Sequence, residues 1–239
     1  MRKIVSILLL SVISFSVLAQ VPVKPGDKLI NYEWLKPNHD FYRNQIRDTS
    51  GKLIYDFVME DFTTIDSAKK QIVFARSRQV PPGSFSTDTS ITDLHFKPIW
   101  MHEIHYQGNV SFDMNFADEK AVVKTTQKGV ATERTYLMKR GYFEDNMIEY
   151  IFGYLTLKKE TTYILDNFNK DTPAPSDPYL LEYSFDDTWN TAPDHNINCI
   201  VLKYTHGDTS GYIWIDKSTH LMIKTIAKFK TGTYLITKI

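Results

Sequence analysis

The chain has 239 residues, and its 28 Lys and Arg exactly offset 28 Asp and Glu, so no electrostatic footprint favours nucleic acid or anionic lipid headgroups as partners. A hydrophobic share of 42% with 13% aromatics excludes a disordered or low-complexity chain. One cysteine, Cys199, excludes an internal disulfide, so stability must come from a hydrophobic core.

Residues 1–19 open with Arg2 and Lys3, continue as an apolar run interrupted by serines, and end on Val17-Leu18-Ala19. This is the pattern of a secretory signal, with cleavage expected after Ala19 and a periplasmic or secreted destination. The run falls short of the roughly 20 apolar residues of a spanning helix and no second run follows, so the chain is not expected to span a membrane once the signal is removed. Cys199 is far from this junction, so no thiol is available there for acylation. The remaining stretch, 20–239, suits a single β-rich domain with a sizeable core.

Residues 20–38 are punctuated by Pro22, Pro25 and Pro37, and their aromatics Tyr32 and Trp34 favour a segment packed across a sheet over a mobile arm. A hairpin follows over 41–47 and 52–60, turning at Asp48-Thr49-Ser50-Gly51, with Tyr55, Phe57 and Met59 expected on one face. The next strand is 71–78, in which Ile72 and Phe74 share a face. Residues 79–90, with Pro81-Pro82-Gly83 and many Ser, Thr and Asp, read as a loop.

Strand patterns resume over 91–97 and 99–106. The clearest is 110–116, where Val110, Phe112, Met114 and Phe116 alternate with Ser111, Asp113 and Asn115. Two more strands cover 121–127 and 130–138. The spacing of Met147, Ile148, Ile151, Phe152 and Leu155 is helical, and Glu144, Asp145 and Asn146 before them suit a helix N-terminus.

After a strand over 158–168, residues 169–178 carry three prolines and read as an exposed connection. Tyr179, Leu181, Tyr183 and Phe185 alternate as a strand face, and 187–195 reads as a loop. The last stretch, 197–239, is a four-stranded meander with turns at Gly207-Asp208, Asp216–Thr219 and Thr231-Gly232. Within it Leu221, Ile223, Ala227 and Phe229 are expected to oppose Lys224, Lys228 and Lys230. The expected fold is mainly β: a single curled antiparallel sheet or incomplete barrel of about a dozen strands, with one amphipathic helix plugging it.

The chemical motifs are sparse. His102-Glu103-Ile104-His105 places its histidines three apart on a strand, where they face opposite ways and cannot chelate one metal ion together. His195, His206 and His220 fall in the terminal turns. No nucleophile elbow, phosphate loop, dinucleotide fingerprint or paired-cysteine site occurs, so neither a cofactor nor a metal is expected. Cys199 alternates with Ile197 and Val201 and reads as a core residue. Asp166, Asp186 and Asp187 are the carboxylates available to an acid/base pair. Asn109-Val110-Ser111 matches a glycosylation acceptor on a hairpin turn.

The apolar inventory is richer. Trp34, Phe96, Trp100, Phe112, Phe116, Ile151, Phe152, Tyr183, Trp214 and Phe229 are the candidates to line the inside of the curled sheet. If that interior is open, it takes a lipid or other apolar ligand with the helix as lid or plug, which makes a non-enzymatic binding protein. If it is filled, the alternative is a scaffold for an envelope protein partner. The third alternative is a hydrolase using carboxylates or histidines. An outer-membrane barrel ranks below these, because many strands carry charge on each face.

The hairpin Gly211-Tyr212-Ile213-Trp214-Ile215-Asp216, followed by Leu221-Met222-Ile223-Lys224, and the mid-chain helix over 143–157 carry a resemblance. The chain resembles uncharacterised secreted β-rich proteins of Bacteroidetes type. More remotely it is similar to the Lol-type periplasmic lipoprotein carriers, whose fold is an incomplete barrel closed by helix. The resemblance implies a Gram-negative periplasm or outer-membrane face and a hydrophobic cargo or lipid-modified partner. It supplies no catalytic residues.

Overall fold

The computed structural model describes residues 19–80, 84–138, 141–171, 176–192 and 195–239. The expected signal lies outside the described residues except for Ala19, and so do Pro81, Pro82 and Gly83 of the expected loop.

The chain opens with β1 (Ala19–Val23) and a 3-10 turn (Tyr32–Trp34). A first meander then runs β2 (Asn38–Asp48), β3 (Leu53–Asp66), β4 (Gln71–Val80), β5 (Ser84–Asp93), β6 (Pro98–His105), β7 (Val110–Ala117), β8 (Lys120–Gln127) and β9 (Val130–Leu137). The short β10 (Phe143–Glu144) leads through a 3-10 turn (Asp145–Met147) into α1 (Ile148–Tyr154). The chain returns as β11 (Thr161–Leu165) and β12 (Asn167–Phe168). It finishes in a second meander of β13 (Tyr179–Ala192), β14 (His195–His206), β15 (Thr209–Asp216), β16 (Met222–Phe229) and β17 (Gly232–Lys238).

Fifteen of the described strands form one sheet, in the order β1-β11-β13-β14-β15-β16-β17-β2-β3-β4-β5-β6-β7-β8-β9. All its pairings are antiparallel except that of β1 with β11, while β10 and β12 pair in parallel beside it. The two meanders are joined where β17 lies against β2, from Gly232 opposite Asp48 to Lys238 opposite Tyr42. The sheet curls without closing, with β1 and β9 as its edges.

α1 has only seven residues, too few to be stable alone, and it is held by what it buries. Ile148, Ile151, Phe152 and Tyr154 all enter the main core, with Tyr42, Met59, Ile72 and Phe74 of the first meander and Leu202, Ile213 and Ile215 of the second. The N-terminus of the helical segment is capped by Glu144, whose carboxyl accepts from the Asn146 amide at 2.9 Å. At its other end, the Asn31 amide donates to the Tyr154 carbonyl at 2.8 Å, satisfying one of the carbonyls a helix leaves unpaired. The N-terminal segment is therefore packed rather than a free arm, but it meets the end of the helix where packing across a sheet was expected.

Four local expectations are corrected. The expected loop over 79–90 is largely strand, with 79–80 ending β4 and 84–90 in β5: the inward positions Asp88, Ser90 and Thr92 of β5 are polar yet buried, so no apolar alternation marks it. β13 runs through 187–192 instead of ending, and a bulge between Tyr183 and Phe185 breaks the expected shared face. Leu181 is fully buried while Phe185 is exposed. In β16 a register shift leaves Ile223 without a cross-strand partner, so it packs beside Trp214 while Met222 and Ala227 enter the main core. In β3 Met59 is buried but Tyr55 is exposed, because the strand extends past the core.

Candidate functional site

Two recesses open around the helical segment. The first is built on Trp34 and His220. Asn31 accepts from the Glu33 amide at 3.1 Å and so starts the 3-10 turn that carries Trp34. His220 stands in the β15–β16 turn, where Asp216 accepts from the Ser218 amide at 2.7 Å and the Thr219 hydroxyl at 2.8 Å. The His220 backbone is left-handed, at φ 61°, a conformation in which histidine is enriched.

This geometry lays the imidazole flat on the indole, with ring centroids 3.6 Å apart and planes 2° from parallel. Burial pushes the imidazole pKa below its ordinary value, which favours a neutral ring. The stacked pair is a wall shared by two spaces. On one side is a cleft of 440 Å³ floored by Tyr154 and Leu221, with Lys36, Ser218 and Thr219 around it. On the other is an apolar groove of 170 Å³ lined by Phe152, Leu155, Leu157, Tyr183, Ile200 and Leu202.

The second recess is polar and lies at the N-terminal end of the helical segment. Across the inner face of the first meander a row of charged side chains runs in cross-strand register, Asp40, Asp61, Arg76, Asp88 and Glu103. Arg76 donates to Asp61 at 2.7 and 2.9 Å, and Arg78 to Asp88 at 2.6 Å. Lys170 pairs with Glu103 at 3.0 Å and sits 4.7 Å above the Phe112 ring. His105 contacts the same glutamate.

Facing this row, Glu144 accepts from Ser90 at 2.7 Å, and burial raises its carboxyl to about 8. Asp145 accepts from the Asn167 and Asn169 side chains at 2.7 and 3.0 Å, and burial raises it too, against the opposing pull of His206. Burial also raises Glu149 and Asp88, against the pull of Arg76 and Arg78 respectively. A cavity of 220 Å³ remains among Arg78, Glu103, Glu144, Asp145 and Lys170, backed by Met101, Met114 and Phe168.

The ten residues read as candidate lining are dispersed. Trp34, Phe152 and Tyr183 meet at the apolar groove. Phe96 and Ile151 are fully buried in the filled main core. Phe112 and Phe116 pack against a smaller cluster around Met101 and Met114. Trp100 stacks on His102 at 5.8 Å, and Phe229 lies 6.4 Å from the Tyr234 ring. Trp214 belongs to a third cluster with Cys199, Val201 and Ile223, where its indole donates to Asp187 at 2.8 Å and Lys224 lies over its ring.

The other candidates are placed as plainly. His102 pairs with Asp113 at 2.8 Å. Among the described residues no His, Cys, Asp and Glu cluster is arranged for a metal. His206 stacks on Tyr179, away from the Trp34 partner of His220, and the His195 side chain lies outside the described residues. Asp186 pairs with Lys217 at 2.7 Å, and this bond holds its carboxyl below the ordinary range, as the Trp214 bond does for Asp187. Cys199 is buried, which raises its thiol to about 11.

Of the residues around the two recesses, Arg78 and Lys170 were not singled out in the sequence, while Glu103, Glu144, Asp145 and His220 were named there only in other settings, a strand motif, a helix start and a turn. Arg76 and Arg78 did carry a signal, because they continue the two-residue alternation of Ile72 and Phe74 onto the inner face.

A family model described as "Protein of unknown function (DUF3108)" matches residues 54–237. The chain belongs to the DUF3108 family. The match runs from β3 to β17 and includes the helical segment, leaving β1 and β2 outside it. No curated protein matches.

Among solved structures, the DUF3108 chain is similar to the crystal structure of a beta-barrel-like protein of domain of unknown function DUF1849 from Brucella abortus. The TM-score is 0.59 at 11% identity, over 88% of this chain and 97% of that one. This likeness shows the fold: a large curled β-sheet related to a barrel. Neither description names a ligand, a reaction, a Bacteroidetes protein or a Lol-type carrier.

Proposed function

We propose that this DUF3108 protein is a non-enzymatic periplasmic or secreted protein that holds a lipid or other apolar ligand at the Trp34–His220 end of its curled sheet. The observation that carries the reading is the cleft of 440 Å³, within the ~300–1,000 Å³ of ordinary ligand pockets, adjoining a groove walled by Phe152, Leu157, Tyr183 and Leu202. Its chemistry is graded. An apolar chain would lie along Leu202 and Phe152, and a polar end would meet Lys36, Ser218 and Thr219. The secretory pattern of residues 1–19 supports the destination.

The test is native mass spectrometry of the mature protein purified from its own envelope, followed by organic extraction. An added mass released as a lipid or other apolar molecule is expected. A bare polypeptide that stays bare after incubation with envelope lipids would overturn the reading.

One observation favours a scaffold for an envelope protein partner as the second reading. Phe41, Val58 and Phe62, on neighbouring strands β2 and β3, are all exposed. Co-purification of a partner, lost when Phe41 and Phe62 are replaced by Ser, would select it.

A further inference from the structure

The polar cavity at Glu144 is separate from the apolar groove and shares no lining residue with it. Its walls carry both signs of charge. Arg78 supplies a guanidinium from β4, and Lys170 an ammonium held between Glu103 at 3.0 Å and Asp171 at 2.8 Å. Opposite stand the carboxyl groups of Glu144 and Asp145. Glu103 and Glu144 are buried, exposing 6% and 2% of their surface, while Arg78, Asp145 and Lys170 are part-buried at the cavity.

A purely structural ion network should be closely packed, because taking charge out of water is offset only by direct partners at good geometry. Here 220 Å³ stands open among the charges, room for about seven waters at ~30 Å³ each, or for a solute with a comparable number of non-hydrogen atoms. An apolar solute would displace water from these polar walls without replacing its hydrogen bonds, and a singly charged one would complement only one sign of charge.

We propose that this cavity is a binding site for a small zwitterion of amino-acid size, with its carboxylate against Arg78 and its ammonium against Asp145. Arg78 keeps Asp88 as a partner through one nitrogen, and its planar fork suits a carboxylate. Asp145 is oriented by two side-chain amides, from Asn167 and Asn169, so its oxygens are fixed before a ligand arrives. Met101, Met114 and Phe168 give the cavity an apolar back wall, which favours small uncharged side chains over long charged ones. The protonated state in which burial holds Glu144 adds a neutral acid that can donate or accept, so the site does not become more negative at neutral pH.

The test is ligand-observed NMR of the mature protein with each of the twenty free amino acids, alongside ethanolamine, glycolate, glycerol and phosphatidylethanolamine vesicles, followed by calorimetric titration of any binder. Expected is saturable binding of one or a few small amino acids, at least tenfold tighter than ethanolamine or glycolate. Arg78→Gln and Asp145→Asn are expected to weaken it at least tenfold. Arg78→Lys keeps a cation for Asp88, so it remains informative if Arg78→Gln fails to fold, and it too is expected to weaken binding.

The proposal is overturned if no amino acid binds in the millimolar range, if a single-charge probe or glycerol binds as tightly, if only the vesicles bind, or if folded Arg78→Lys and Asp145→Asn leave the affinity unchanged. Trp34→Ala should leave the amino-acid signal intact while removing apolar ligand, so this site and the groove fail independently.

Discussion

Replacing Glu144 by Gln isolates the energetic cost of one buried acid. In the folded chain burial holds this carboxyl at about 8, against an ordinary value of 4.5. Between those values the folded protein keeps a proton that the unfolded chain has released, so stability falls as pH rises through this window and levels off above it. At ~1.4 kcal/mol per pH unit the loss approaches about 3 kcal/mol at pH 7 and about 5 kcal/mol at pH 8 and above.

Gln removes the titration and its carbonyl can keep accepting from the Asn146 amide, while its NH2 replaces the oxygen that accepted from Ser90 and donates to that hydroxyl instead. Asp88, Asp145 and Glu149 have raised values of the same sign and stay in both proteins, so the difference between variant and parent reports Glu144. Urea unfolding followed by tryptophan fluorescence at pH 5, 6, 7 and 8 measures it. The variant should match its parent near pH 5 and exceed it by several kcal/mol at pH 8. A constant difference across that range, or a less stable variant at pH 8, would refute the argument.

Gly153→Ala would place a Cβ 1.9 Å from the His220 carbonyl oxygen, so helix and turn must separate. A loss of about 2 kcal/mol in urea titrations is expected, with a changed Trp34 emission as the stack on His220 shifts. Asp61→Asn would remove the closer carboxylate of the Arg76 guanidinium and leave only Glu149, 3.7 Å away, at a cost of about 3 kcal/mol and a Tm lowered by about 6 °C or more, read by calorimetry. Trp34→Ala removes one wall of both cleft and groove, and should weaken a fluorescent fatty-acid probe about tenfold or more. Trp214→Phe, in a different cluster, should not change that affinity.

The fold was legible wherever one sheet face is apolar. Val110, Phe112, Met114 and Phe116 announced β7, and the helical spacing of Ile148, Ile151 and Phe152 announced α1. β5 was not legible, because Asp88 and Ser90 are buried against Arg78 and Glu144, partners that no local pattern reveals. The bulges in β13 and β16 were equally silent, since the register of a neighbouring strand decides which residue is left over.

The same limit applies to the recesses. Trp34 was picked out as a large aromatic. Its contact with His220 joins a short N-terminal turn to the last hairpins, and no spacing in the sequence encodes it. Glu144 and Asp145 read as a helix start, and Glu144 does cap, but their place in a cavity comes from β4 and β6 folding beneath them.

The pairing of β17 with β2 sets the order in which the molecule can be made. β2 is made before all the strands from β3 to β16, yet its partner along one side, β17, comes only after them. Until then the growing sheet shows a bare, template-like edge along Asn38–Asp48, and helix α1 has only one of the two walls it packs between. The sheet therefore cannot be completed until β17 has been made. Such a chain needs protection from edge-to-edge association until that pairing forms.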